Sequence, residues 1–346
     1  MNPTEYNTDE LKAGKANIKV MGVGGAGNNT VTQLFEMGIS GADIVAVNSD
    51  AQHLDISKAD QKLLIGKELT RGLGCGGYPS RGRECAKESI AELKKQVGKS
   101  DMTFIVAGMG GGTGTGASPV VAQVAKENGS IVIGTVTMPF DIERARIDKA
   151  EFGLQELRQV CDTVIVIDNN RLVQIAGQLP IKQAFAVAND LIATMIKGIV
   201  ETITIPSLVN LDYADVSAIM RNGDVAVIGI GESDTANRVE EAVRQALTHP
   251  LLDVDYEGAT GALIHVSGGA DLKLEELNKI GELITEHLSP EAQVIWGARI
   301  DDNIKGKVQV ITIITGVKSP YILGRQNERE EVKARELADV GIEILK

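Results

Sequence analysis

A chain of 346 residues, 43% hydrophobic and 24% charged, has material for two ordinary domains with substantial cores. With 35 Lys and Arg against 47 Asp and Glu, a formal charge of -12 and only 3% aromatic residues, it lacks the basic, ring-bearing composition of a nucleic-acid surface. Three irregularly spaced cysteines, Cys75, Cys85 and Cys161, suit neither a disulfide framework nor a thiolate zinc site and point to a reducing cytoplasm. The polar, acidic residues 1–9 read unlike a signal peptide, and no uninterrupted apolar run reaches the length needed to span a bilayer.

After a polar leader, residues 18–23 read as a buried strand that runs into Gly24-Gly25-Ala26-Gly27, followed by a helix over 29–37 and a second strand over 44–47. Further strands are expected at 103–107, 131–136 and 163–167, with helices at 83–97, 120–128 and 145–160. Strands nearly continuous in Val and Ile that alternate with helices predict a mostly parallel sheet covered on both faces. Residues 180–201 predict a long connecting helix that gives way to the β-branched run Thr202-Ile203-Thr204-Ile205-Pro206. Beyond it, strands at 225–230, 262–266, 293–298 and 308–314 with helices at 237–248 and 273–287 predict a smaller second α/β domain ending near Lys318. The charged stretch 327–337 and the brief apolar stretch 340–345 have the pattern of a tether with a docking peptide, or equally of a frayed terminal helix.

Three glycine clusters carry the chemistry. Gly22-Val23-Gly24-Gly25-Ala26-Gly27 stands where a dinucleotide fingerprint would, although tight helix–strand packing accounts for such glycines nearly as well. Gly110-Gly111-Gly112-Thr113-Gly114-Thr115-Gly116 is more specific. Small side chains let successive amides and a helix N-terminus approach phosphate oxygens, and the two threonines add hydroxyl donors. A dinucleotide site has no use for this second cluster, whereas a di- or triphosphate held by several loops does. A third cluster, Gly72-Leu73-Gly74-Cys75-Gly76-Gly77, could cover the terminal phosphate. No Gly-x-x-x-x-Gly-Lys-Ser/Thr occurs, which excludes a P-loop NTPase and leaves charge neutralisation to amide dipoles and a cation, expected to be Mg²⁺.

Together with Asn28-Asn29, Asn48-Ser49-Asp50-Ala51-Gln52 and Asn210-Leu211-Asp212-Tyr213-Ala214-Asp215, the glycine-threonine heptad resembles the signature of the FtsZ family, the tubulin-like GTPases of prokaryotic cell division, over residues 18–318. The resemblance, in an archaeal style, implies an N-terminal extension (1–17), a Rossmann-like GTP-binding α/β domain (18–179), a long central helix with a catalytic loop (180–221), a smaller α/β domain (222–318) and a short tail (319–346). It implies GTP or GDP across the C-terminal ends of the sheet. Gly24, Gly25, Ala26, Asn28 and Asn48 would lie by the phosphates and base edge, and Gly110, Gly111, Gly112, Thr113, Gly114, Thr115 and Gly116 would cradle the β and γ phosphates. Gly74, Gly76 and Gly77 would cover the γ side, Glu143 would accept from the ribose, and Arg146 and Asn169 would stand near ribose and phosphate. Phe185 would pack on the guanine plane and Asn189 bond its edge, with Asp190 a competitor because many relatives carry aspartate there. Mg²⁺ would be held by phosphates and water, with no protein metal ligands implied.

The resemblance further implies catalysis in trans. Subunits stack head to tail, and Asp212, Asp215 and Asn210 of one reach the γ phosphate of the next, positioning water or holding the cation. The implied partners are other copies of the chain and a membrane-anchor or division protein at the tail, with neither nucleic acid nor membrane insertion, in a cytoplasmic protein concentrated at the division site. Taken without the resemblance, the same residues are plainer. Glu143, among Asp141, Arg144, Arg146 and Asp148, fits a solvated helix start; Phe185 fits a core; Asn169-Asn170 fits a turn; Asp212 and Asp215 fit a helix cap. Ser80 replaces an acidic residue common in relatives, and Arg81 and Arg83 bring positive charge toward the γ side. A tubulin-like GTPase that shapes or scaffolds without constricting and a non-hydrolysing filament share this pattern. A nicotinamide-dependent oxidoreductase fits only the first cluster, because His53, His249, His265 and His287 are scattered.

Overall fold

The computed structural model describes residues 16–205, 207–209, 211–221, 224–248, 256, 259–301 and 304–317. The catalytic expectation for Asn210 and those for the tail fall outside them. The first six strands are β1 (Ile18–Val23), β2 (Ala42–Asn48), β3 (Gln61–Leu64), β4 (Met102–Gly108), β5 (Ile131–Met138) and β6 (Thr163–Asp168). They run parallel in the order β3-β2-β1-β4-β5-β6, as their Val- and Ile-rich runs require. Alternate residues feed two separate cores. Val20, Ile44 and Phe104 enter one, and Met21, Val45 and Ile105 the other, the period of two that a sheet covered on both faces imposes.

The helices are α1 (Gly24–Met37), α2 (Ala51–Ile56), α3 (Lys67–Thr70), α4 (Pro79–Glu88), α5 (Ile90–Val97), α6 (Thr113–Glu127), α7 (Arg144–Val160), α8 (Asn169–Ala176), α9 (Ile181–Thr204), α10 (Tyr213–Met220), α11 (Arg238–Leu247) and α12 (Leu274–Thr285). Three differ instructively from expectation. The helix expected over 83–97 is two, broken at Ser89, whose Oγ accepts from the Gly66 amide at 3.2 Å. Helices α1 and α6 begin inside the glycine clusters rather than after them. The connecting helix α9 runs on through Thr202 to Thr204, whose hydroxyls donate to carbonyls four residues back at 2.7 and 2.8 Å, local bonds that a helix accommodates.

By length and composition residues 182–204, with mean hydropathy 1.2, could cross a membrane, although Asn189, Asp190, Lys197 and Glu201 interrupt the apolar run as the sequence reading expects. That apolar character belongs to a face turned into the core, where Ile192, Met195, Ile196 and Ile199 are buried. Gly198 lets the helix close on the sheet, for a Cβ there would lie 2.7 Å from Ile311 Cδ1.

The remaining strands are β7 (Asp224–Ser233), β8 (Gly261–Gly268), β9 (Gln293–Ile300) and β10 (Val308–Thr315). β7 continues the first sheet by pairing with β6 at Val164↔Val225, so all ten strands lie in one order ending β6-β7-β10-β8-β9. β10 is antiparallel to both neighbours, and β8 and β9 are parallel. Arg238 of α11 binds α12, with Nε 2.7 Å from Glu276 Oε1 and Nη1 2.6 Å from Asp271 Oδ2.

Two outcomes follow from this packing. Gly116 places α6 against α4 so closely that a Cβ would fall 1.8 Å from the Pro79 carbonyl oxygen. Gly116→Ala is expected to cost about 1–3 kcal/mol by overpacking, read as a lower urea midpoint at unchanged slope. On β8, His265 is 3% exposed, and burial followed by nearby Arg299 holds its pKa down to about 4 from 6.5. The unfolded chain therefore binds the proton first as pH falls, so stability present above pH 6.5 is lost down to about pH 4. Unfolding curves over that window should show His265→Asn removing up to about 3 kcal/mol of the pH dependence; an identical acid limb would contradict it.

Candidate functional site

In a parallel sheet the helices that follow the strands all begin at its C-terminal edge, and the three glycine clusters meet there. Gly24 has φ +75, and a Cβ on it would lie 2.7 Å from the Gly114 amide nitrogen, so the starts of α1 and α6 abut. Neither helix has a side-chain N-cap, whereas Asp50, Asp168 and Asp212 cap α2, α8 and α10. Two sets of first-turn amides, with the positive ends of two helix dipoles, thus converge without a carboxylate to satisfy them. An anion fits that arrangement.

The first cluster divides between packing and access. Gly22 and Gly27 are there for close approach, since added Cβ atoms would meet the Gly27 and Val106 carbonyl oxygens at 2.5 and 2.2 Å. Gly25 is half-buried and Ala26 exposed. Asn28 differs from the expectation of a residue at the base edge. It is fully buried; with its amide oriented to suit its neighbours, Nδ2 donates to the Gly22 and Gly24 carbonyls at 2.8 and 3.2 Å, and Oδ1 accepts from Asn48 Nδ2 at 3.0 Å. Asn48 Oδ1 accepts in turn from the Ser49 and Asp50 amides, so this pair of amides holds the ends of β1 and β2 in place rather than facing the opening.

The heptad divides the same way. Gly111 is open, with no heavy atom within 4 Å of a Cβ position. Gly110 has φ +92 against Arg146, while Gly112 and Gly114 make room for Cys75 Cβ and the Gly108 carbonyl. The hydroxyls expected as free donors brace the loop. Thr115, 1% exposed, accepts from the Gly110 amide at 2.8 Å, and Thr113 Oγ1 lies 2.7 Å from Ser49 Oγ. In the third cluster Gly74, Gly76 and Gly77 all have positive φ, and Gly77 is open. Of the two arginines expected to bring charge there, Arg83 is paired with Glu156, whereas Arg81, bonded to the neutral Leu69 carbonyl at 3.0 Å, keeps its charge. A further cation at this loop is Lys149, whose Nζ donates to the Gly77 carbonyl at 2.8 Å and lies 5.7 Å from the Tyr78 ring centroid. The sequence reading did not single out Lys149, and Ser49 entered it only within the 48–52 motif; the helical spacing from Arg146 to Lys149 was the available signal.

Helix α1 leads from these loops to an apolar pocket. Thr30, one turn beyond Ala26, donates to Asn189 Oδ1 of α9 at 3.0 Å. One turn back on α9, Phe185 is 43% exposed and meets Phe140 edge to face at 5.8 Å, so it is not the core residue its composition suggests. The two rings, with Leu172, Val173, Leu179 and Ala184, line a cavity of about 300 Å³. Asn189 is half-buried and Asp190 exposed. At the rim Glu143 accepts from the Phe140 amide at 3.2 Å and from Arg146 Nη1 at 2.6 Å, while Asn169 opens α8 beside the Asp168 cap.

Asp212 and Asp215 lie elsewhere. They close a capping box, with the Asp215 amide donating to Asp212 Oδ1 at 2.9 Å and the Asp212 amide to Asp215 Oδ2 at 3.2 Å. Tyr213 Oη donates to the Asp101 carbonyl at 2.8 Å and Thr163 Oγ1 to the Met220 carbonyl at 2.6 Å. Both anchors are at the N-terminal ends of strands, β4 and β6, so α10 sits on the opposite edge of the sheet from the glycine loops. The seven residues of β4 separate the two edges by about 20 Å at about 3.3 Å per residue.

Comparison with known proteins agrees with this arrangement. Residues 17–177 match the GTPase domain of the Tubulin/FtsZ family, and residues 224–318 match the C-terminal domain of the FtsZ family. The chain is 56% identical over 332 residues to cell division protein FtsZ 2 of Methanocaldococcus jannaschii, covering 95% of this chain and 87% of that protein. It is 54% identical over 309 residues to cell division protein FtsZ 1 of Pyrococcus furiosus, covering 89% and 83%. A solved structure described as an empty FtsZ dimer from M. jannaschii superposes with a TM-score of 0.83 at 52% identity, covering 89% of this chain and 90% of that one. With a GTPase domain built on uncapped helix ends and a C-terminal domain joined to it through one sheet, the chain belongs to the FtsZ family of tubulin-like cell-division GTPases.

Proposed function

We propose that this protein holds GTP at the glycine-rich edge of its sheet, stacks head to tail, and completes each active site with Asp212 and Asp215 of the next subunit. The carrying observation is the distance across the sheet. Two acids tied to the N-terminal ends of β4 and β6 cannot reach a phosphate at the C-terminal end of β4 in the same chain. A second copy stacked along the strand direction can supply them. Such a contact is heterologous and does not close, so repetition produces a filament. The structural relative described as a dimer supports self-association.

Each loop then has a defined task. Gly24, Gly25, Gly111 and Thr113 present amides to the phosphates, with Gly74, Gly76 and Gly77 covering the γ side. Phe185 packs on guanine, and Asn189, whose Oδ1 is engaged by Thr30, turns its amide nitrogen to a guanine acceptor. Glu143 receives the ribose hydroxyls, Arg146 stands between ribose and phosphate, and Asn169 lies nearby. Mg²⁺ would be held by the phosphates and water. Bound Mg²⁺ would supply charge neutralisation at the transferred phosphoryl group.

The capping box does not compete with catalysis. Each carboxylate spends one oxygen on a backbone amide, which fixes its direction, and keeps the other for water or a hydrated cation. The GTP-bound interface favours assembly, and hydrolysis weakens it, giving turnover. In the cell this fits a cytoplasmic protein concentrated in the division ring, with its tail on an anchor protein.

Asp212→Asn and Asp215→Asn separate the two roles, because asparagine caps a helix as well as aspartate does. Each is expected to lower GTP hydrolysis by about 10²–10⁴-fold with nucleotide affinity and melting temperature nearly unchanged. Hydrolysis per subunit should rise with protein concentration alongside sedimentation, and a rate independent of dilution would defeat the shared site. Thr115→Val removes the partner of the Gly110 amide at nearly constant volume. Urea unfolding should show a loss of about 1–3 kcal/mol, the cost of an orphaned buried donor.

A further inference from the structure

Cys75 and Cys85, too few for a framework, are brought together by the fold. Their Sγ atoms lie 3.7 Å apart, with Cys75 3% and Cys85 0% exposed. Glycines hollow out the space, since a Cβ at Gly66 would fall 2.3 Å from Cys85 Sγ and one at Gly112 would fall 2.7 Å from Cys75 Cβ. Buried cysteines ordinarily serve as small hydrophobes. Here a polar relay leaves the pair: Cys75 Sγ is 3.2 Å from Ser49 Oγ, which is 2.7 Å from Thr113 Oγ1 at the start of α6. The thiols therefore touch the third glycine loop, the heptad and α4 at once.

We propose that Cys75 and Cys85 are a dithiol modification site, oxidised by low-molecular-weight disulfides to an intramolecular disulfide that weakens nucleotide binding. The effect on nucleotide rests on the GTP site proposed above; formation of the disulfide does not. Cys75 is the entry point, because Leu73, Gly76, Gly77 and Tyr78 around it are exposed, while the Asp50–Leu73 bridge and the Gly74 amide on the Ser49 carbonyl pin the loop just before it. Burial, with Cys75 beside it, pushes the Cys85 thiol up to about 12, which keeps the pair inert at rest and makes the second step the slower one.

In the first step the Cys75 thiolate attacks a disulfide RSSR. A Cys75–SR bond forms, the S–S bond breaks, and RS⁻ takes up the proton that Cys75 released. Cys85 Sγ then loses its proton and attacks Cys75 Sγ, expelling the second RS⁻, which is protonated. Two protein thiols are oxidised and one RSSR is reduced to two RSH. Closing the sulfurs to a bond of about 2.05 Å draws Cys75 toward α4 and off Ser49, releasing the serine that braces Thr113. By linkage, bound triphosphate must oppose the oxidation as much as oxidation opposes binding.

The test treats the full chain with 2-hydroxyethyl disulfide, with and without a non-hydrolysable GTP analogue, then reads non-reducing peptide masses and the affinity for a fluorescent GTP analogue. The expected results are loss of two hydrogen atoms from the peptide pair holding Cys75 and Cys85, slower loss when the analogue is bound, and affinity weakened about tenfold or more and restored by dithiothreitol. Cys85→Ala should instead retain a stable mixed disulfide at Cys75. Both thiols remaining reduced while Cys161 takes up the probe would overturn the site. A disulfide that leaves affinity within about twofold would overturn its coupling to the nucleotide. Reduced protein that binds no guanine nucleotide would overturn that coupling through the GTP reading itself, while the peptide masses still decide the disulfide.

Discussion

Two helix N-termini pressed against each other without caps are the constraint on which the rest of this molecule depends. The amides at the starts of α1 and α6 carry partial positive charge, and Gly24 against Gly114 leaves no room for a side chain that could neutralise it. The sheet cannot avoid the arrangement, because parallel strands deliver their following helices to one edge. What the glycines add is proximity. Around them a second layer, made of the Asn28–Asn48 amides, the Ser49–Thr113 hydroxyls and Thr115 on Gly110, fixes the loops so that an entering anion meets donors already aimed.

The length of a strand then decides how such a molecule can catalyse. An acid recruited from the same chain would have to come from the C-terminal edge of the sheet, where an uncompensated carboxylate would repel the phosphates. At the opposite edge the capping box stabilises two carboxylates at no such cost, since helix amides favour negative charge. In the proposed filament, separating charge in this way makes each subunit half of two sites, so that assembly and hydrolysis become one event.

The continuity of the sheet links these edges mechanically. Helix α9 borders the apolar cavity through Phe185, bonds α1 through Asn189, passes under β10 at Gly198, and ends before the segment that carries Asp212 and Asp215. β7 carries the first sheet into the second through a short parallel pairing with β6. A rigid helix and a narrow strand contact are suited to transmitting a shift at the nucleotide to the edge that bears Asp212 and Asp215.

The sequence by itself determined the strand-helix alternation, the parallel sheet, the long central helix and the three glycine-rich loops, because burial on both faces and backbone approach leave direct marks in Val, Ile and Gly usage. It also determined the family, through motifs too specific to recur together by chance. Tertiary structure decided how those residues are used. Asn28, Thr115 and Gly116 look like ligand contacts in the chain and are braces or packing positions in the fold, since burial depends on what lies opposite. Phe185 looks like core and borders a cavity, Arg83 is taken up by Glu156, and Lys149 arrives at the Gly77 carbonyl from 72 residues away. The side of the sheet on which Asp212 and Asp215 stand, and the meeting of Cys75 with Cys85, could not be read from spacing, because both follow from which strand ends the connecting helices reach.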